Sequence, residues 1–365
     1  MKEELLKGDY EYSSGKRIKW IDMLKGIANI AVIMGHIVGE TYIGDFIYTF
    51  SVPLFIFVSG YLFKSYNSFK EYFVHRFKSL IIPYIIFGLP FPIVMGYYNS
   101  AYRDGVFNFF VSPTDFAREF ASEFIRYILQ IRYNVLWYLA FIFIVSIVMY
   151  FILKISRRWI QIAIILALLT VGSVYVSMGG KPLVWNIDTV PMSLPFYYVG
   201  HLLAVNGKCV SKIRDMDRWK AAVIFIAFTI GDIVFNWLTL YVSGQKLRMF
   251  YNEYGFVPFT YISAFCGIFA MMILAIRTQP RIVVYIGRHS LIFYLMHQGL
   301  IFLFNNNIYP ALKIPAIFEV IGTGNYNLAD YPLIIGLLVI YFIPVCLIIW
   351  LVIKLLSHTP LRKYV

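Results

Sequence analysis

The sequence predicts an all-α integral membrane protein of about ten transmembrane helices, with both termini cytoplasmic and no soluble domain. Three observations predict it. Hydrophobic residues make up 60% of the 365-residue chain and charged residues only 14%. Apolar stretches long enough to cross a bilayer recur along its length. Lysine and arginine concentrate in alternate connecting segments. In a soluble protein the net charge of +13 would point to nucleic acid. Here the positive-inside rule accounts for it, and no nucleic-acid partner is implied.

The expected spans are approximately 21–40, 45–63, 80–98, 134–153, 159–178, 190–206, 220–241, 256–276, 282–304 and 332–354. Segments with Lys16, Arg17 and Lys19, with Lys64, Lys70, Arg76 and Lys78, and with Lys154, Arg157 and Arg158 then fall on the cytoplasmic side. So do Lys208, Lys212, Arg214, Arg218 and Lys220, and later Arg277, Arg281 and Lys354. The expected organisation is a cytoplasmic tail over 1–19, one transmembrane domain over 20–356 and a second tail over 357–365. The three cysteines are far apart and show neither metal-ligand spacing nor a disulfide framework, so no metal is implied.

The first span carries the main chemical signal. It opens near Lys25 and reaches His36 through Gly26 and Gly35. Eleven positions at about 100° each amount to three turns plus roughly 20°, so both side chains leave nearly the same helix face, about 16 Å apart in level. A titratable group inside lipid costs roughly 2.5–3.5 kcal/mol on insertion scales and usually marks a pathway or a reaction site. Asp22 lies within reach of Lys25 for an ion pair, and Glu40 lies one turn beyond His36, where a carboxylate can orient the ring. A surface anchor at Lys25 and an interhelical hydrogen bond at His36 are the plain alternatives.

The second span contains Pro53, which should kink it, and Ser59-Gly60, a thin face for packing. The loop after it carries His75, Arg76 and Lys78, a cluster that suits lipid headgroups or a phosphate-rich ligand equally well. Charged residues at helical spacing between Phe116, Phe120 and Phe124 predict an amphipathic helix on the outer surface. Trp137 opens the fourth span as a belt residue or a sugar-stacking platform. Asp232, near mid-membrane, reads as an interhelical pair or a pocket group. In the ninth span Arg288 and His289 lie near the cytoplasmic face, and His297 lies about 14 Å beyond Arg288, at a depth comparable to His36. Two histidines from separate helices at one level would line a common polar cavity.

Taken in order, four segments resemble the bacterial membrane-bound acyltransferase family 3, which decorates surface carbohydrates. They run from Trp20 to Ala28 and on to His36, from Val52 to Phe63, from Arg76 to Tyr84, and from Ile286 to His297. Leu136 to Leu139 and Phe196 to Gly200 match more loosely. The closest pattern is the fucose-acetylase-like branch. The resemblance implies acetyl-CoA, or another short acyl-CoA, as cytoplasmic donor, and a hydroxyl of a cell-surface polysaccharide or lipid-linked glycan as acceptor. It also implies an essential histidine at His36 with its basic partner at Lys25. Ser79 stands where the family often has a second arginine, which leaves Arg76 and Lys78 as the basic candidates. The absence of an appended esterase-like domain reads as a stand-alone transferase.

The expected catalytic group is therefore His36 with Lys25 and Glu40. Arg76, Lys78 and Arg288 are the expected CoA contacts, and His297, Trp137 and Asp232 the expected substrate contacts. The partners are acyl-CoA, the glycan acceptor and membrane lipid, with room for a homo-oligomer, and the site is the cell membrane. A transporter or flippase of a lipid-linked glycan is the rival reading, and a glycan polymerase a more distant one.

Overall fold

The computed structural model describes residues 17–39, 41–103, 106–308 and 331–364. Glu40, the tail before residue 17 and the loop over 309–330 lie outside them. The described chain is helical apart from a hairpin of two two-residue strands, β1 (Tyr102–Arg103) and β2 (Val106–Phe107). The helices are α1 (Lys19–Val38), α2 (Tyr42–Tyr61), α3 (Phe69–Arg76), α4 (Ile82–Gly88), α5 (Pro90–Ala101), α6 (Pro113–Leu129), α7 (Trp137–Lys154) and α8 (Arg158–Ser177). They continue with α9 (Val190–Val205), α10 (Lys208–Asp215), α11 (Arg218–Ser243), α12 (Val257–Arg277), α13 (Arg281–Arg288), α14 (Ser290–Leu303) and α15 (Tyr331–Ser357).

Eight of the described segments are long and apolar enough to cross a membrane: α1, α2, the run Phe69–Ala101, α7, α8, α11, α12 and α15. The sixth expected span is the 16-residue α9, about 24 Å long and short of a full crossing. The ninth is divided at His289 into α13 and α14. The third begins earlier than its hydropathy predicts. Pro83 has no N–H to give the carbonyl of Ser79, and the ladder widens into a π turn over Phe77–Ile81 that joins α3 to α4.

The chain forms two compact units. The first comprises the described residues of Met1–Phe63, Pro195–Met249 and Glu253–Val365. Its centre is α1, which packs on α2, α12, α13, α14 and α15. A helix that is apolar all round belongs inside, and 72% of the α1 window is buried against 11% for α11, whose outer face is left for lipid. The α1–α2 turn is tied by Thr41, whose hydroxyl donates to Val38 O at 2.7 Å and accepts from Gly44 N at 3.1 Å.

Small residues set the closest approaches in this unit. A Cβ on Gly26 would lie 2.0 Å from Val283 O, and one on Gly287 would lie 1.6 Å from Asp22 O, so α1 and α13 touch backbone to backbone. The thin face expected at Gly60 sits against Tyr197 O, where a Cβ would come to 1.9 Å.

The second unit comprises Lys64–Leu194 and Phe250–Asn252. In it α6 is the expected amphipathic helix, with Ser112 as N-cap, Pro113 at its first turn, and Gln130 in the left-handed region at its end. Its Phe120 backbone packs on Gly96 of α5.

Candidate active site

His36 and His297 meet. The first hangs from the C-terminal half of α1 and the second from α14, and their ring centroids are 5.1 Å apart at an interplanar angle of 40°. The sequence places both at one depth; the break at His289 and the Gly26–Gly287 contact bring α14 against α1 so that the depths coincide.

His297 is fully buried. Its Nδ1 lies 3.1 Å from Phe293 O, one helical turn back. A carbonyl only accepts, so Nδ1 carries the proton in the neutral ring and Nε2 presents a lone pair. That Nε2 is buried with no hydrogen-bond partner among the described residues. An orphaned buried acceptor is costly. The ring of His36 is half-buried, and the Tyr48 hydroxyl next to it donates to Gly35 O at 2.8 Å. The His36 ring is thus partly exposed, whereas the His297 ring is not.

Nearer the other end of α1, Asp22 pairs with Arg288 Nε at 3.5 Å across the α1–α13 contact. The ion pair read from the sequence joins Asp22 to Lys25 on one helix. The neighbour that α13 supplies takes that place, although Asp22 still acts on Lys25 through its field. The side chain of Arg288 is 43% exposed, which leaves its guanidinium accessible to an anion. Lys25, one turn from Asp22 on α1, is half-buried.

Arg76 and Lys78 belong to the second unit. The Arg76 guanidinium donates to the hydroxyl of Ser146, and the Tyr72 hydroxyl donates to Ser146 O at 3.0 Å. Arg76 Nε is buried without a partner, and among the described residues no carboxylate pairs with this cation. A half-buried guanidinium lacking a counter-charge suits an anionic oxygen. Lys78 is exposed on the π turn one step away.

Asp232 and Trp137 have neighbours that give them structural work. Asp232 is fully buried; Ser263 Oγ of α12 donates to its Oδ1 at 2.5 Å and Thr49 Oγ1 of α2 to its Oδ2 at 3.0 Å. This is the interhelical alternative of the sequence reading, realised by three helices. Asp232→Ala should remove both of these bonds, leaving Thr49 Oγ1 only Phe46 O at 2.6 Å and Ser263 Oγ only the backbone oxygen of residue 232 at 3.1 Å, and cost about 1–3 kcal/mol. The expected outcome is a lower unfolding midpoint with an unchanged KM; a raised KM would instead return Asp232 to the substrate contacts. Trp137 is 6% exposed, with its ring 5.2 Å from Phe141 and 5.7 Å from Phe250.

The second unit also holds a polar node that the sequence reading missed. The Arg132 guanidinium, 12% exposed, pairs with Asp188 and donates to Asn186 and Thr189. Asn186 Nδ2 donates to Gln130 O at 3.1 Å. Gln130, Arg132, Asn134, Trp185 and Asn186 all have φ between 38° and 55°, a region that side chains rarely adopt unless the surroundings hold them there. Next to it, burial first and the Glu123 carboxylate second hold the Tyr133 phenol well above its ordinary pKa, so it remains a donor to Glu123. The available signal was the run Asn186, Asp188 and Thr189 just ahead of an apolar helix.

A family model described as an acyltransferase domain matches residues 18–351. No curated protein and no solved structure matches the chain.

Proposed function

This chain belongs to acyltransferase family 3 and is an acyltransferase, and from that premise we propose that it transfers an acetyl or other short acyl group from acyl-CoA to a hydroxyl of a cell-surface polysaccharide or lipid-linked glycan. The apolar helices and the family together make it a multi-pass membrane protein, and the proposed setting is the cell membrane with the donor on the cytoplasmic side. A fucose-acetylase-like acceptor is the specific form that the motifs favour.

The observation that carries the reading is the His36–His297 pair, 5.1 Å between centroids on two different helices inside an apolar bundle. Transfer from a thioester needs a base for the acceptor hydroxyl, stabilisation of the oxyanion, and positioning. In this reading His36 takes the hydroxyl proton as the oxygen attacks the thioester carbonyl. The tetrahedral adduct collapses, the C–S bond breaks, and the proton passes to the departing thiolate, giving an ester and free CoA. His297, its Nδ1–H committed to Phe293 O, offers Nε2 to a donor in the same space, either the hydroxyl or the His36 ring. Glu40 retains its proposed orienting role.

Phosphate recognition is assigned to the cations with spare capacity: Lys25 and Arg288 in the first unit, Arg76 and Lys78 in the second. The uncompensated charge and the orphaned Nε of Arg76 support this. The test is transfer of labelled acetyl from acetyl-CoA to a lipid-linked glycan by the purified chain in liposomes, with thermal-shift titrations beside it. Stabilisation by acetyl-CoA and by CoA, together with label in the glycan, is the expected result. Movement of the glycan without any dependence on acyl-CoA would overturn the proposal in favour of a flippase.

A further inference from the structure

Within the first unit, α10, α11 and α12 line a half-open apolar cavity of about 250 Å³ that plays no part in the histidine site. Ile213 and Met216 close one side, Ile224 and Phe228 of α11 another, and Phe269 and Met272 of α12 a third. The volume equals that of about eight liquid-water molecules, but with no polar partner water does not fill such a space, and hydrocarbon does.

The residues next in sequence to the lining residues Cys209, Ile213 and Met216 have the opposite character. Lys208, Lys212, Arg214, Arg218 and Lys220 stand exposed on α10 and the first turn of α11, against only Asp215 and Asp217. Lys220 is already taken by Asp217 at 2.7 Å. Trp219, 65% exposed, marks the level of the membrane–water interface. Arg277, at the end of α12, donates to Arg214 O at 2.6 Å and Met216 O at 2.9 Å, which fastens the end of α10 to α12.

We infer that this cavity, with the basic residues next in sequence to its lining, is a binding site for an anionic glycerophospholipid, one acyl chain entering the cavity and the headgroup lying on Lys208 and Lys212. Complementarity of charge selects this occupant over a zwitterionic lipid. Lys208 and Lys212 have no role in the proposed acyl transfer, so the inference stands or falls independently of it.

Native mass spectrometry of the delipidated full chain in detergent tests it, with dioleoyl phosphatidylglycerol and dioleoyl phosphatidylcholine as the probes. Wild type should retain one phosphatidylglycerol about tenfold more tightly than phosphatidylcholine. The double change K208E/K212E, on exposed positions that folding does not use, should reduce that preference to within about twofold. Ile224→Trp, which fills the cavity, should weaken retention of both lipids. Equal retention of the two lipids by wild type would overturn the inference, as would unchanged retention in both variants. So would a lipid-free dimer that Ile224→Trp abolishes, since a second copy would then be the occupant.

Discussion

His36→Ala is expected to reduce acyl transfer by about 10²–10⁴-fold, the usual contribution of a positioned general base, while leaving the folded protein intact. The side chain is half-buried at the edge of a pair and has no hydrogen bond to lose among the described residues. Its truncation removes a proton acceptor and little packing. His297→Ala is expected to cost activity as well, because its Nε2 is the buried acceptor facing the same space. If the two rings act as one unit, the double variant falls little further than the worse single one, since residues that act together are not additive. The measurement is turnover with labelled acetyl-CoA for both single variants and the double, each normalised to folded protein by its thermal unfolding. Turnover at the wild-type rate in His36→Ala would remove the base from the mechanism.

Gly287→Leu is expected to destabilise the first unit by at least the ~3 kcal/mol upper end of ordinary overpacking, and to abolish activity through geometry. Even a Cβ at this position would sit 1.6 Å from Asp22 O, and the obstacle is backbone, which cannot rotate away. The helices α1 and α13 must then part. Since α13 leads into α14 after a single residue, His297 leaves His36 and Arg288 leaves Asp22. Gly299→Ala is the control. That glycine is in α14, near His297, but a Cβ there meets nothing within 4 Å, so the substitution should be neutral or stabilising by about 0.5–1 kcal/mol. Thermal unfolding and turnover of the two variants separate the cases. A Gly287→Leu protein that unfolds at the wild-type temperature would show that the α1–α13 contact does not organise the unit.

Much of the fold was legible in the chain because the bilayer acts on residues one at a time. A segment is apolar for about 20 residues or it is not, and α1, α2, α7, α8, α11, α12 and α15 were found on that basis. The depth of a histidine follows from counting residues at a fixed rise, so His36 and His297 fell at one level before any contact was known. The small residues at Gly26 and Gly60 announced close approach without saying to what.

Partners needed the tertiary structure. Hydropathy cannot show that α13 ends at Arg288, nor that Asp22 turns to Arg288 rather than to Lys25 one turn away. It cannot show that Asp232 is held by hydroxyls from α2 and α12, or that Trp137 is enclosed by Phe141 and Phe250. The Arg132–Asp188 node depends on backbone in the left-handed region, which composition does not encode for residues other than glycine. The sequence by itself determined the membrane class and the family motifs, because solvent and helix rise are local constraints. Which polar groups face each other was decided only when glycine-lined backbones met, since the choice of neighbour among apolar helices depends on close packing across the bundle and not on the hydrophobicity of any one helix.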